Sequence, residues 1–165
     1  VKSMFPVSFP IRVVENQVYY HSNGCEGARL CMNNTTNNKI ILCGGGVLLS
    51  PEYLKSINLK KPSILYQSRT ERSNDFEIGI IKNNEKLEGL SLAVKDQIWT
   101  ELMYLTGDQL VKSFYSTISK PELKNKFLFE AINNWSGRKQ VQALENNGES
   151  IIKINNIKTL KKVNN

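Results

Sequence analysis

Apolar positions along this chain change their period several times, and the changes mark its elements. Phe9-Pro-Ile-Arg-Val-Val14 and Gln17-Val-Tyr-Tyr20 are β-branched and aromatic, which predicts two strands, or one bent one, parted at Glu15-Asn16. Asn23-Gly24 marks a turn, and a short helix is expected over residues 25–32, weakened by Gly27. Lys39-Ile-Ile-Leu-Cys43 predicts a strand running into Gly44-Gly45-Gly46, where the backbone can come close to a ligand or take positive φ. Ser50 and Pro51 supply the cap and first residue of another helix. Residues 63–67 and 76–81 predict paired strands around a charged loop.

From 91 to 106, Leu92, Val94, Ile98, Leu102 and Leu105 follow a helical rhythm, with Trp99 on the same side. Gly107 interrupts it, and Asp108 is placed to cap a second helix over 109–118, ended by Ser119-Lys120-Pro121. Phe127-Leu-Phe129 predicts an apolar strand with Glu130 at its end. Asn133-Asn134-Trp135 then break the pattern before a helix-prone segment, 136–144. Residues 149–154 alternate as a late strand. Strands, a central helical segment and strands again make an α+β arrangement.

Composition adds limits. At 165 residues and 40% hydrophobic content, the chain is expected to bury one core and form a single domain over 1–165. A net charge of +7 invites a nucleic-acid partner, but Lys and Arg are scattered and much of the excess sits in 153–162. A solvated basic tail is the expected reading, with nucleic-acid binding as an alternative from charge alone. Cys25, Cys31 and Cys43 leave one thiol unpaired under any disulfide scheme. His21 is the single histidine, so no metal site is expected. No apolar run reaches transmembrane length and residues 1–20 lack a signal pattern, so no membrane partner is expected.

The candidate chemistry centres on Glu130. A carboxylate fixed at the end of an apolar strand suits a group that faces developing positive charge on a substrate. Cys25 at a helix start, with His21 nearby in sequence, offers a thiol nucleophile as an alternative. A non-catalytic interaction module is a further alternative.

Taken in order, these segments resemble the catalytic domain of the diphtheria-toxin group of ADP-ribosyltransferases. The likeness runs through Tyr20-His21, Gly45-Gly46-Val47-Leu48-Leu49-Ser50, Gly89-Leu-Ser-Leu92, Gly107-Asp108 with the helix after it, Phe129-Glu130-Ala-Ile-Asn-Asn-Trp135, and Ile151-Ile-Lys-Ile-Asn155. It implies an ADP-ribosyltransferase-like α+β fold, with split mixed and antiparallel sheets around a central helical segment. It also implies NAD as cofactor and transfer of ADP-ribose to a host protein acceptor by a secreted, monomeric toxin or effector acting in a host cytoplasm. Glu130 would be the catalytic carboxylate, stabilising oxocarbenium character as the nicotinamide bond breaks. His21 and Ser22 would hold the cofactor, Gly46 would approach it closely, and Tyr53 would form one wall. The chain departs from the family at Leu48-Leu49, where the family carries an aromatic ring.

Overall fold

A computed structural model describes residues 11–50, 60–68, 77–146 and 151–154. Among these residues the chain forms three α-helices, a six-stranded mixed sheet and a two-stranded antiparallel ribbon. The α+β expectation is met in this coarse form.

The sheet is ordered β1-β6-β3-β7-β5-β4. Its strands are β1 (Lys39–Cys43), β3 (Ser63–Ser68), β4 (Gly79–Asn83), β5 (Lys86–Ser91), β6 (Gln97–Thr106) and β7 (Gln142–Glu145). β3 pairs in parallel with β7, and the remaining pairings are antiparallel. The strands predicted at 63–67 and 76–81 both exist, but they do not pair. β3 lies between β6 and β7, while β4 forms a hairpin with β5 through Asn84, whose φ of 53° closes the turn. The ribbon joins β2 (Val47–Leu49) to β8 (Ile151–Lys153).

Helices α1 (Gly24–Asn33), α2 (Asp108–Ile118) and α3 (Leu128–Asn134) pack together on one face of the sheet. Alternation along β3 decides what each face receives: Ile64 and Tyr66 enter the helix-side core, while Leu65 packs with Leu102 and Ile151 beneath the ribbon. Phe114 from α2 and Trp135 meet edge-on at 4.9 Å in the helix-side core.

The helix-prone segment 136–144 forms a 3-10 turn at Ser136–Gln140 and then strand β7, residues 11–14 form no strand, and the helix expected from Pro51 lies outside the described residues. Three further predicted elements come out differently. Residues 97–106 form the long strand β6 where a helix was predicted. Leu102-Met103-Tyr104-Leu105 is buried without a break, and a run hidden on both faces carries no strand alternation. Of the apolar positions spaced three and four apart, Ile98, Leu102 and Leu105 lie in this strand, and Leu92 and Val94 precede it. Residues 17–20 form no strand; Tyr19–His21 is a single 3-10 turn closed by the His21 N–H on the Val18 carbonyl at 2.9 Å.

The third is Phe127–Trp135, which is helix α3 and not a strand. Leu128, Ala131 and Ile132 make its inward stripe. The Glu130 carboxylate accepts the Phe127 N–H at 2.8 Å, closing the first turn as a glutamate at the third helical position does. Asn133 then reaches across to β5, accepting the Leu90 N–H and donating to the Leu90 carbonyl, both at 2.8 Å. Trp135 is fully buried and donates its indole N–H to Ser113 Oγ at 2.8 Å. The Glu-Ala-Ile-Asn-Asn-Trp signature therefore has structural work at nearly every position.

Candidate functional site

The chain places a cavity of about 470 Å³ where β1 ends, between α1, the start of α3 and β6. Ligands of α/β sheets gather beyond the carboxyl ends of strands, and β1 ends here in Gly44-Gly45. The lining is largely apolar. Gly24, Gly27 and Ala28 of α1 form one side, Trp99 lies on β6, and Phe127 and Phe129 flank the entry to α3. These two phenyl rings stack at 6.0 Å, and Phe127 is 55% exposed. Cys31 and Cys43 also line the space.

Among the described residues, one charged side chain lines the cavity, Glu101. It stands at an irregularity in β6, where Leu65 of β3 faces residues 100–102, because Ile64 pairs with Met103 and Tyr66 with Trp99. Such bulges re-aim side chains. Glu101 takes φ of 62°, which glycine adopts freely and other residues rarely do. The sequence supplies partners for the carbonyls this irregularity frees. Thr100 Oγ1 donates to the Leu65 carbonyl at 2.9 Å, and Trp99 Nε1 donates to that of Leu102 at 3.2 Å. The Glu101 carbonyl accepts the Gly44 N–H at 3.0 Å, tying the glycine turn to the bulge.

The Glu101 side chain is held from the ribbon. Lys153 Nζ lies 2.6 Å from its Oε1, and the lysine side chain is only 15% exposed. Two glycines make room for this. A Cβ on Gly44 would overlap the Glu101 carboxylate, and one on Gly46 would stand 2.5 Å from the Ile154 carbonyl oxygen. Gly46 thus lets β8 come close, and its carbonyl accepts the Ile154 N–H at 2.7 Å.

The described residues among those expected from sequence have these places in the structure. Glu130 is the cap of α3 and pairs with Lys126 at 3.3 Å. His21 is exposed at the end of its turn. Ser22 Oγ accepts from Asn16 Nδ2 at 2.8 Å and donates to the Val18 carbonyl at 3.0 Å, bracing the chain before α1. Bonds from the Asn23 and Cys25 N–H groups to the Lys124 and Lys126 carbonyls bring the two segments to one edge, but neither His21 nor Glu130 lines the cavity. Tyr53 lies outside the described residues.

The thiol alternative fails on Cys25 itself. The residue is fully buried, its Sγ donates to the Phe127 carbonyl at 3.3 Å, and burial pushes its pKa up to about 11. A reactive thiol needs the opposite shift. Cys43 is also raised, by burial and then by the negative charge of Glu101.

Sequence reasoning missed Glu101 and Lys153. A lone carboxylate inside a ten-residue, mostly apolar strand was the available signal for the first, and reading that segment as a helix hid it. Nothing local in the sequence links Lys153 to it.

No family model matches this chain, and no curated protein matches it. Solved structures do. A CTP:phosphocholine cytidylyltransferase from Streptococcus pneumoniae superposes with a TM-score of 0.74 at 16% identity, over 93% of this chain and 67% of that one. An inositol-1-phosphate CTP transferase from T. maritima gives 0.68 at 15%, over 90% and 62%. A nucleoside-diphosphate-sugar pyrophosphorylase from Vibrio cholerae gives 0.59 at 8%, over 85% and 64%. The chain spans about two thirds of each of these proteins. All three are enzymes, and their fold is that of nucleotidyltransferases. The diphtheria-toxin likeness is therefore corrected, together with what it implied: NAD as cofactor, ADP-ribose transfer to a host protein, and a toxin or effector role. Its motifs were short and were carried here by caps, turns and core contacts. What the chain shares with these enzymes is their fold.

Proposed function

We propose that this chain is a nucleotidyltransferase domain, joining the nucleotidyl group of a nucleoside triphosphate to a phosphomonoester. In that reaction an acceptor phosphate oxygen attacks the α-phosphorus, the bond to the β-phosphate oxygen breaks, and pyrophosphate leaves with the electron pair. The observation that carries this reading is the position of the cavity at the glycine-ended β1, in a fold shared over more than nine tenths of the chain with the pneumococcal cytidylyltransferase.

Charge decides which substrate this cavity suits. A triphosphate brings several negative charges and needs positive groups around it. Among the described residues the cavity offers a carboxylate and no lining cation, and Lys153 is bound to that carboxylate. The space suits the organic group of the phosphomonoester. Beside it, Gly45 would meet nothing within 4 Å if it carried a Cβ, so its backbone is open to a phosphate. A divalent cation commonly shares the charge in phosphoryl chemistry. The described residues do not fit a resident one: no three His, Cys, Asp or Glu side chains come together among them.

The test is pyrophosphate release by the full chain from CTP, UTP or TTP with magnesium and phosphocholine, inositol 1-phosphate or glucose 1-phosphate. Release that requires both a triphosphate and a phosphomonoester supports the reading. Absence of release with every pair, together with no calorimetric binding of any triphosphate, overturns it.

A further inference from the structure

Glu101 carries three features that a merely structural glutamate would not need together. Among the described residues it is the one charge lining an apolar cavity. It holds a left-handed backbone that glycine would adopt without strain. Strain of this kind persists at ligand-facing positions because the surrounding structure enforces it. Lys153 approaches only from the ribbon side, on Oε1, and does not line the cavity. Oε2 lies on the Gly44 side, where a glycine leaves it space, and no donor among the described residues hydrogen-bonds it.

The lining also excludes a chemistry. A sugar ring brings several hydroxyls, each of which loses its water partners on entry. Among the described residues, the polar side-chain groups here apart from Glu101 are two thiols and the Trp99 indole N–H, which already bonds the Leu102 carbonyl. An alkylated ammonium needs no such partners. It is stabilised by a nearby negative charge and by aromatic and apolar contact, and Trp99, Phe127 and Phe129 supply the rings.

We propose that this cavity receives the organic ammonium group of an aminoalkyl or methylammonium-alkyl phosphate, and that Glu101 is its specificity-determining residue. The proposal rests on the reading of the acceptor as a phosphomonoester. Glu101 Oε2 faces the cation, Lys153 keeps the carboxylate oriented from behind, and the phosphate of the ligand lies toward the Gly44-Gly45 turn. Such a site separates ligands by the charge of their organic end, since every candidate acceptor carries the same phosphate.

Calorimetric titration of the full chain with phosphocholine, choline, glucose 1-phosphate and inorganic phosphate tests this. Phosphocholine is expected to bind about tenfold more tightly than glucose 1-phosphate or more, and choline alone is expected to bind measurably. Glu101→Gln removes that preference, bringing phosphocholine affinity down to that of glucose 1-phosphate for the same variant. Glu101→Gly, which suits the backbone, gives the same loss in a chain whose thermal unfolding shows it folded. Equal or weaker binding of phosphocholine than of glucose 1-phosphate overturns the proposal, as does full phosphocholine affinity in both folded variants. Failure of the two readings is separable. A phosphocholine preference without triphosphate binding or pyrophosphate release sinks the transfer reaction alone. Pyrophosphate release with glucose 1-phosphate preferred sinks the ammonium site alone.

Discussion

Replacing Glu101 by alanine or by glycine isolates the backbone strain at the cavity. Both variants lose the side chain and the Lys153 ion pair, so that contribution cancels between them. They differ in the cost of holding φ at 62°. A left-handed L-residue costs roughly 1–2 kcal/mol, and glycine returns about 0.5–1 kcal/mol of that through its greater freedom when unfolded. Glu101→Gly is therefore expected to be the more stable of the two by about 0.5–1 kcal/mol. With a urea m-value of about 2 kcal/mol/M for a chain of this size, the midpoints should differ by roughly 0.3–0.5 M. The same pair reports on Gly44. Gly44→Ala forces the Glu101 carboxylate aside and breaks its partly buried pair with Lys153, at about 1 kcal/mol. In the Glu101→Gly background that added cost should nearly vanish. Equal midpoints for the alanine and glycine variants, or a Gly44→Ala cost unchanged by Glu101→Gly, would refute the bulge geometry on which the site depends.

Other outcomes follow from residues around the cavity. Asn133→Ala removes both bonds to Leu90 and leaves backbone groups of β5 unmet, lowering stability by about 2 kcal/mol in the same urea assay. Neutral-pH iodoacetamide followed by mass mapping should modify exposed Cys31 first and leave Cys25 untouched, because burial holds the Cys25 thiol protonated. Hydrogen bonding by Arg29 holds the Glu26 carboxyl below its ordinary value. Its stabilising contribution is thus present above that ordinary value and is lost as pH falls through the lowered one. Parent and Glu26→Gln should converge in stability as acid is added over that window, measured by thermal unfolding.

The elements legible in sequence were those whose signals are local. Helices α1 and α2 and strands β1 and β8 appear near their expected positions, since caps, glycine stops and short β-branched runs act over a few residues. β6 was not legible, because a strand buried on both faces has no period to read and its leucines also satisfy a helical template. α3 was misread because Phe127-Leu-Phe129 favours a strand locally, while the Glu130 cap and the Asn133 reach to β5 fix a helix. The Asn-Asn-Trp segment looked catalytic for the same reason: side chains that satisfy buried backbone and fill a core are as particular as those of an active site. Glu101 and Lys153 meet only once β6 bulges and Gly46 admits β8, a juxtaposition that no spacing encodes.

The most direct measurement is a phosphocholine titration of the isotopically labelled chain, followed by amide and indole chemical shifts. The account predicts saturable shifts at Gly44, Gly45, Glu101 and Phe127, with the Trp99 indole moving alongside them. Shifts confined to His21 and the α3 cap, or none at saturating ligand, would contradict it.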